Sequence, residues 1–210
     1  MNLVDFLAPR ICAFCGVWCE AGESSICAGC FADLPWREAA LLPTPGIFER
    51  RVALLDYSFP VDAAIKAFKF RRKLYYAPAF AEILCQGLPL LPSGIEAVLP
   101  VPLHWRRKTW RGFNQAAEIA QPVAKRLGVP IARCVQRRKA TPFQSGLDAR
   151  ERSGNLKQAF KVTRRATYSD ILIVDDVVTT GATVESLAKV LLRHGVNRVS
   201  VLTLAQAGRD

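Results

Sequence analysis

Along this chain, short unbroken apolar runs alternate with segments whose apolar residues fall at helical spacing. Residues 52–57 predict a strand, and after Pro60 the positions Ala64, Ile65 and Phe68 mark one face of a short amphipathic helix over 61–70. A second helix is expected from Pro78, a good first-turn residue, to about Gln86. Residues 96–103 are apolar and β-like, with Pro100 and Pro102 marking their end. A helix is expected over 113–127, kinked or split at Pro122, and a strand over 132–136. Residues 171–174 form a run too short for a helix and β-branched enough for a buried parallel strand. Val184, Leu187, Ala188 and Leu191 then share one face of a helix over 182–193, which stops at His194-Gly195 with His194 as a C-terminal cap; a last strand covers 198–204. Strands and helices in this order predict an α/β fold, a mostly parallel sheet with helices on both faces.

Length and composition sharpen that picture. A chain of 210 residues buries one full α/β core plus a small appendage, and half hydrophobic content with 22% charged residues describes a folded protein. The proline-bearing stretch 31–46 reads as an irregular connection, which places a module over 1–46 ahead of a main domain over 47–210. The net charge of +11 is concentrated: residues 104–165 hold 16 Lys or Arg against Glu118, Asp148 and Glu151, a balance of +13. Such a field favours a polyanion: a pyrophosphate, a nucleotide or a nucleic-acid backbone. No targeting segment or membrane-length apolar run is evident, so no membrane insertion is expected and the cytoplasm is the expected compartment.

Five of the seven cysteines lie within 12–30. In a reducing compartment that density points to metal ligation ahead of disulfides. Cys12, Cys15, Cys27 and Cys30 form two Cys-x-x-Cys knuckles, each presenting two thiolates from a tight turn, and together they complete the sulfur shell of a structural Zn²⁺. Cys19 either replaces one of these ligands or stands apart, and Cys85 and Cys134 read as buried, unreactive thiols.

Two further stretches carry candidate chemistry. After strand 171–174 come Asp175 and Asp176, and then a loop with Thr179, Thr180, Gly181 and Thr183 that opens a helix. A loop of this kind aims N–H groups and hydroxyls at an anion, a phosphate first among them, while the two carboxylates beside it suit vicinal hydroxyls or a hydrated Mg²⁺. There is no Walker loop in the chain. In 104–115, Arg106, Arg107, Lys108 and Arg111 are interleaved with Trp105, Trp110 and Phe113. Either the rings stack bases of a single strand, making Trp105, Arg106 and Trp110 nucleic-acid candidates, or they anchor the core beside a basic pyrophosphate loop; composition favours the anchors. The basic run 69–73 is either a solvated helix end or a second polyanion contact. With two histidines in the chain, a His-based triad has little support.

The string 171–183 resembles the phosphoribosyl pyrophosphate (PRPP) signature of type I phosphoribosyltransferases. Taken with Leu99-Pro-Val-Pro-Leu-His104, Arg111-Gly-Phe-Asn-Gln115, Thr141-Pro-Phe-Gln-Ser-Gly-Leu147, Glu151-Arg152, Asn155 and Ala159-Phe160, nearly the whole chain resembles ComF-type proteins. Those are bacterial proteins of DNA uptake in natural competence, with a four-Cys module before a phosphoribosyltransferase-like domain. The resemblance implies that Asp175 and Asp176 meet the ribose hydroxyls of PRPP. It further implies that Val178, Thr179, Thr180, Gly181, Ala182 and Thr183 surround the 5′-phosphate. Arg107, Lys108 and Arg111, with Arg150 and Arg152 from a mobile loop over 137–159, would reach the pyrophosphate, and Lys139, Gln144 and Asn155 are further candidates there. Mg²⁺ with PRPP, single-stranded DNA and other DNA-uptake proteins are the implied partners; a metabolic phosphoribosyltransferase acting on a nitrogen acceptor is the alternative. The departures from the family pattern are Pro122, Cys19 and the pair Arg71-Arg72, where many relatives carry a glycine.

Overall fold

The computed structural model describes residues 11–19, 25–138, 159–165 and 167–208. In chain order its elements are α1 (Ala28–Ala32), β1 (Arg50–Asp56), α2 (Val61–Phe70), α3 (Tyr76–Gln86), β2 (Ala97–Pro100), α4 (Trp105–Arg111), α5 (Gln115–Leu127), β3 (Val135–Arg137), β4 (Phe160–Val162), β5 (Asp170–Val178), α6 (Ala182–Leu192) and β6 (Arg198–Gln206). Strands β1, β6, β5 and β2 lie side by side in that order, and every pairing is parallel. The register sets Leu99 against Ile173, Val174 against Leu202 and Leu55 against Ala205. The expected mostly parallel α/β sheet is therefore the observed one.

Strand β5 has no solvent face, because successive side chains point to opposite sides of a sheet that helices cover twice. Leu172 and Val174 pack with Phe68 of α2, Phe80 of α3 and Ile119 of α5, whereas Ile171 and Ile173 pack with Leu187 and Leu191 of α6. Helix α5 runs unsplit through Pro122, contrary to expectation. Pro122 is exposed, so the carbonyl one turn earlier can turn to water instead of losing its partner inside the core. Gly128 closes this helix in the left-handed conformation, φ 70°.

Two expected features differ. Residues 132–136 do not form the next strand of the main sheet; β3 instead pairs antiparallel with β4, Gln136 against Lys161, and only Ile131 bridges to Val98 on the sheet edge. The connection 31–46 is not irregular throughout. Trp36 and Leu41 bridge antiparallel to Leu55 and Val52, with hydrogen bonds from Arg37 N to Leu54 O and from Leu42 N to Arg51 O of 2.9 Å each. An exposed edge strand has unpaired backbone groups, and this segment satisfies part of those of β1. The Cys-bearing module rests on α3. The Phe14 ring lies edge-on to Tyr76 and Phe80, at 5.8 and 6.5 Å, and Ser25 N donates to the Glu82 carboxylate at 3.0 and 3.1 Å.

Candidate functional site

The expected strand over 171–174 extends to Val178, since Val177 and Val178 still pair with Ala205 and Gln206. Asp175 and Asp176 therefore stand within a strand and point to opposite faces. Asp176 is buried on the α2 side, its Oδ1 2.9 Å from Nζ of Lys69. Asp175 Oδ1 accepts a 3.0 Å hydrogen bond from the Asp176 N–H. Although Asp175 keeps partial contact with solvent, it lies deep among protein atoms. Burial, and then the Asp176 charge, push its carboxyl up to about 7, against the pull of Lys69 and Arg137.

Beyond β5 the chain turns into α6 at Gly181, whose φ of 75° is left-handed. A Cβ there would be strained and would lie 2.9 Å from a guanidinium nitrogen of Arg51. Thr180 Oγ1 accepts from the Ala182 N–H at 3.4 Å, tying the start of the helix. Val178, Thr179, Thr180, Gly181, Ala182 and Thr183 line one cup of about 50 Å³, with Asp175 on its wall.

Cations surround the carboxylates from three elements. Arg111 at the end of α4 is only 7% exposed, and its Nε has no hydrogen-bond partner among the described residues. Its guanidinium lies 5.0 Å from the Phe70 ring centre. Burial lowers its pKa, the Arg107 charge lowers it further, and Asp176 opposes. Burial also lowers Arg107. Arg137 of β3 is lowered by burial and by Arg107 and is drawn the other way by Asp175. Lys69, Arg107, Arg111 and Arg137 thus share one field with the two aspartates. Lys108 belongs to the same helix as Arg107 and Arg111. Arg150, Arg152, Lys139, Gln144 and Asn155 lie outside the described residues.

Sequence reasoning weighed the run 69–73 as a polyanion contact without singling out Lys69 within it, and it read Arg137 as opening the mobile loop, whereas Arg137 ends β3. Lys69 could have been found, since a cation ending an amphipathic helix faces whatever that helix packs upon; Arg137 carried no signal beyond its charge. Buried His104 was also missed as a strut. Its Nδ1 accepts from Arg106 N at 3.3 Å, which leaves Nε2–H to donate to Arg138 O at 3.0 Å. One ring thereby ties the start of α4 to the end of β3.

Trp105 and Trp110 are not core anchors. They are 62% and 64% exposed, and the inward positions at the ends of this stretch belong to His104 and Arg111. The stretch is itself a helix, α4, not a loop. Of the three rings only Phe113 packs inward, 5.4 Å from Phe68. The structure also brings the basic run after α2 against α4. Phe70 and Trp110 lie 6.3 Å apart, and an Arg72 guanidinium nitrogen donates to Trp110 O at 2.8 Å. Arg72 adopts φ 54°, the left-handed region that glycine favours, which gives a physical meaning to the departure at this position. Arg106 lies 5.4 Å from the Trp105 ring and Lys73 lies 6.0 Å from Tyr75. Exposed aromatic and cationic groups of two distant stretches therefore meet where Phe70 and Arg72 reach Trp110.

In the N-terminal module, the Sγ atoms of Cys12, Cys15, Cys27 and Cys30 all lie within 4.8 Å of one another. The Cys15–Cys27 separation is 3.7 Å. A tetrahedral Zn²⁺ with ordinary Zn–S bonds needs sulfurs about 3.8 Å apart, so the four thiols fit that ion. Burial raises the Cys12 thiol, but hydrogen bonds from the backbones of Cys27, Cys15 and Phe14 outweigh it and bring it down to about 6. Cys30 is pushed up by burial and then by its three neighbours. Four thiolates this close repel one another, and a divalent cation removes the conflict. Cys19 is buried and is not part of the cluster. Burial raises the thiols of Cys85 and Cys134; Cys134 is buried as expected, whereas Cys85 is only half-buried.

A mostly parallel sheet, a carboxylate pair running into a threonine- and glycine-bearing turn, and a four-thiol cluster at the N-terminal end describe a phosphoribosyltransferase-like protein with a four-Cys module. The phosphoribosyl transferase domain family matches residues 114–210. DNA utilization protein YhgH of Salmonella typhi is 36% identical over 208 residues, covering 93% of this chain and 84% of its own. Competence protein F of Haemophilus influenzae is 33% identical over 172 residues, covering 76% and 74%. Among solved structures, orotate phosphoribosyltransferase from Aeropyrum pernix aligns over 65% of this chain and 76% of its own, with 18% identity and a TM-score of 0.40. Adenine phosphoribosyltransferase from Leishmania tarentolae covers 77% of each chain with 12% identity and a TM-score of 0.42. The chain belongs to the ComF-type family of phosphoribosyltransferase-like proteins.

Proposed function

We propose that this protein binds Mg²⁺-PRPP and single-stranded DNA at adjoining sites and serves DNA uptake or utilization in the cytoplasm, together with other uptake proteins. The observation that carries the PRPP reading is the placement of Asp175 on the wall of the cup lined by Val178 to Thr183. Asp175 and Asp176 would take the ribose hydroxyls and hydrated Mg²⁺, and the cup would take the 5′-phosphate. Arg107, Lys108 and Arg111, with Arg150 and Arg152, would take the pyrophosphate. The buried Arg111 Nε, without a hydrogen-bond partner among the described residues, supports that assignment. The exposed face of Trp105, Arg106 and Trp110, extended by Phe70, Lys73 and Tyr75, supports stacking of bases with cations on the phosphates. The four thiols would hold a structural Zn²⁺, since a closed sulfur shell leaves no position for substrate. No helix among the described residues is long and apolar enough to cross a membrane.

Transfer is the second reading, favoured by the desolvated guanidinium of Arg111. The C1–O bond to pyrophosphate would break as a nitrogen lone pair forms the C1–N bond, with Mg²⁺ and the arginines neutralising the leaving charge. Calorimetric titration with Mg²⁺ and PRPP tests the site. The native protein should bind, and the Asp175→Asn, Asp176→Asn protein, folded as judged by its melting temperature, should lose at least about tenfold in affinity. Unchanged affinity in that variant would place PRPP elsewhere.

A further inference from the structure

Beside the edge of β2, between α5 and β3, opens a cleft of about 670 Å³, within the range that accepts a compact organic ligand. Its apolar lining includes Leu99 and Ile131, and its polar lining is unusual in kind. Asn114, Gln121 and Gln136 bring carboxamides from three segments, Arg133 and Arg137 bring cations, and Trp105 brings an indole. Asn114 Nδ2 donates to Val101 O at 3.1 Å, which orients its amide and leaves the carbonyl oxygen available. Gln121 and Gln136 are exposed and can both donate and accept. A nucleobase has the matching chemistry, with flat faces that stack on an indole and an edge of mixed donors and acceptors that carboxamides read. A second cleft, of about 460 Å³, is lined by Phe31, Cys85 and Pro122 and bears only Glu82 and Glu118 as charged groups, the wrong sign for a phosphate-bearing ligand.

Two of the lining residues connect the larger cleft to its surroundings. Trp105 also belongs to the exposed aromatic face, and Arg137 also feels the charge of Asp175. We propose that this cleft is a nucleobase subsite, which receives one unstacked base from a strand on the Trp105–Trp110 face or the base of a free nucleoside. The strand as a source rests on the single-stranded DNA reading above; the cleft as a base pocket does not.

The test uses the full chain and three probes: a short oligothymidylate, the same backbone without bases, and free thymidine. Ala117 on α5 also lines the cleft, so Ala117→Phe fills it and leaves the aromatic face intact. Folding of the variant is checked by its melting temperature and by retained Mg²⁺-PRPP binding. Ala117→Phe should weaken oligothymidylate binding about tenfold and leave binding of the base-free strand unchanged. If Ala117→Phe does not fold, Gln121→Ala with Gln136→Ala should weaken oligothymidylate selectively by several-fold. A folded variant that binds oligothymidylate like the native protein overturns the subsite while leaving the DNA reading in place. If no strand binds the native protein, the DNA reading fails, and the cleft is then judged on thymidine. Quenching of tryptophan fluorescence by thymidine that the variant loses upholds the subsite, and no response to thymidine overturns it.

Discussion

Asp175 decides how the proposed PRPP site responds to pH. Its carboxyl is raised to about 7, first by burial and then by the charge of Asp176. A raised pKa means that the proton is retained through the mildly acidic range, where Mg²⁺ and ribose hydroxyls need the ionised form. Affinity for Mg²⁺-PRPP should therefore rise from pH 6 to pH 8, by about tenfold for a single group with that midpoint. Binding near neutrality should release a proton, visible in calorimetry as a dependence of the heat on the buffer. Since PRPP titrates as well, the control is Asp175→Asn, whose weaker binding should follow a flatter profile; parallel profiles would remove Asp175 from the site. This was partly legible in the chain. Two adjacent acids after an apolar run announced a charged strand end, but not their split to opposite faces, with Asp176 paired to Lys69 and Asp175 beside the cup. That split follows from the strand continuing to Val178, and the continuation is decided by β6 as a partner.

The four-thiol module and α3 behave as one packed element. The Phe14 ring lies edge-on to the stacked Tyr76 and Phe80, and Glu82 accepts the Ser25 N–H, so order among the thiols is coupled to the main domain through α3. Because metal binding energy is folding energy in such a module, removing the proposed Zn²⁺ should destabilise the whole chain. A loss of about 2–3 kcal/mol would lower the melting temperature by roughly 5–10 °C. Metal analysis should return one zinc per chain, and Cys27→Ser should show both the loss of metal and the lower melting temperature. An unchanged melting temperature in metal-free protein would make the module an independent appendage. Helix α4 gives the opposite lesson about legibility. Its residues were visible as a basic aromatic string, yet aromaticity suggested burial, and burial went instead to His104 and Arg111, whose polar atoms reach the Arg138 carbonyl and the field of the aspartates.

Across the whole molecule, the basic field and the aromatic face combine into a prediction about salt. Arg71, Arg72, Lys73 and Arg106 are exposed on or beside the face. If about four phosphates are neutralised there, the logarithm of the single-strand binding constant should fall with the logarithm of salt at a slope of about −3. Lys73→Gln with Arg106→Gln should flatten that slope by about 1.4 without affecting Mg²⁺-PRPP binding, and an unchanged slope would place the strand on another surface. The concentration of charge in 104–165 foretold a polyanion, but the contribution of 70–75 to the same face appears only when α2 and α4 meet at Phe70 and Trp110. What the chain alone settles here is local: the apolar periods that make strands and helices, the Cys-x-x-Cys spacing, and the acid, threonine and glycine order that shapes a turn, since each depends on neighbours a few residues apart. The tertiary structure decides what depends on distant partners. Lys69 meets Asp176 and Arg137 meets the field of Asp175, β3 leaves the sheet for β4, and the carboxamides of Asn114, Gln121 and Gln136 meet across one cleft. Each of these juxtapositions is fixed by how the helices settle on the two faces of the sheet, a property of the assembled core that no local pattern encodes.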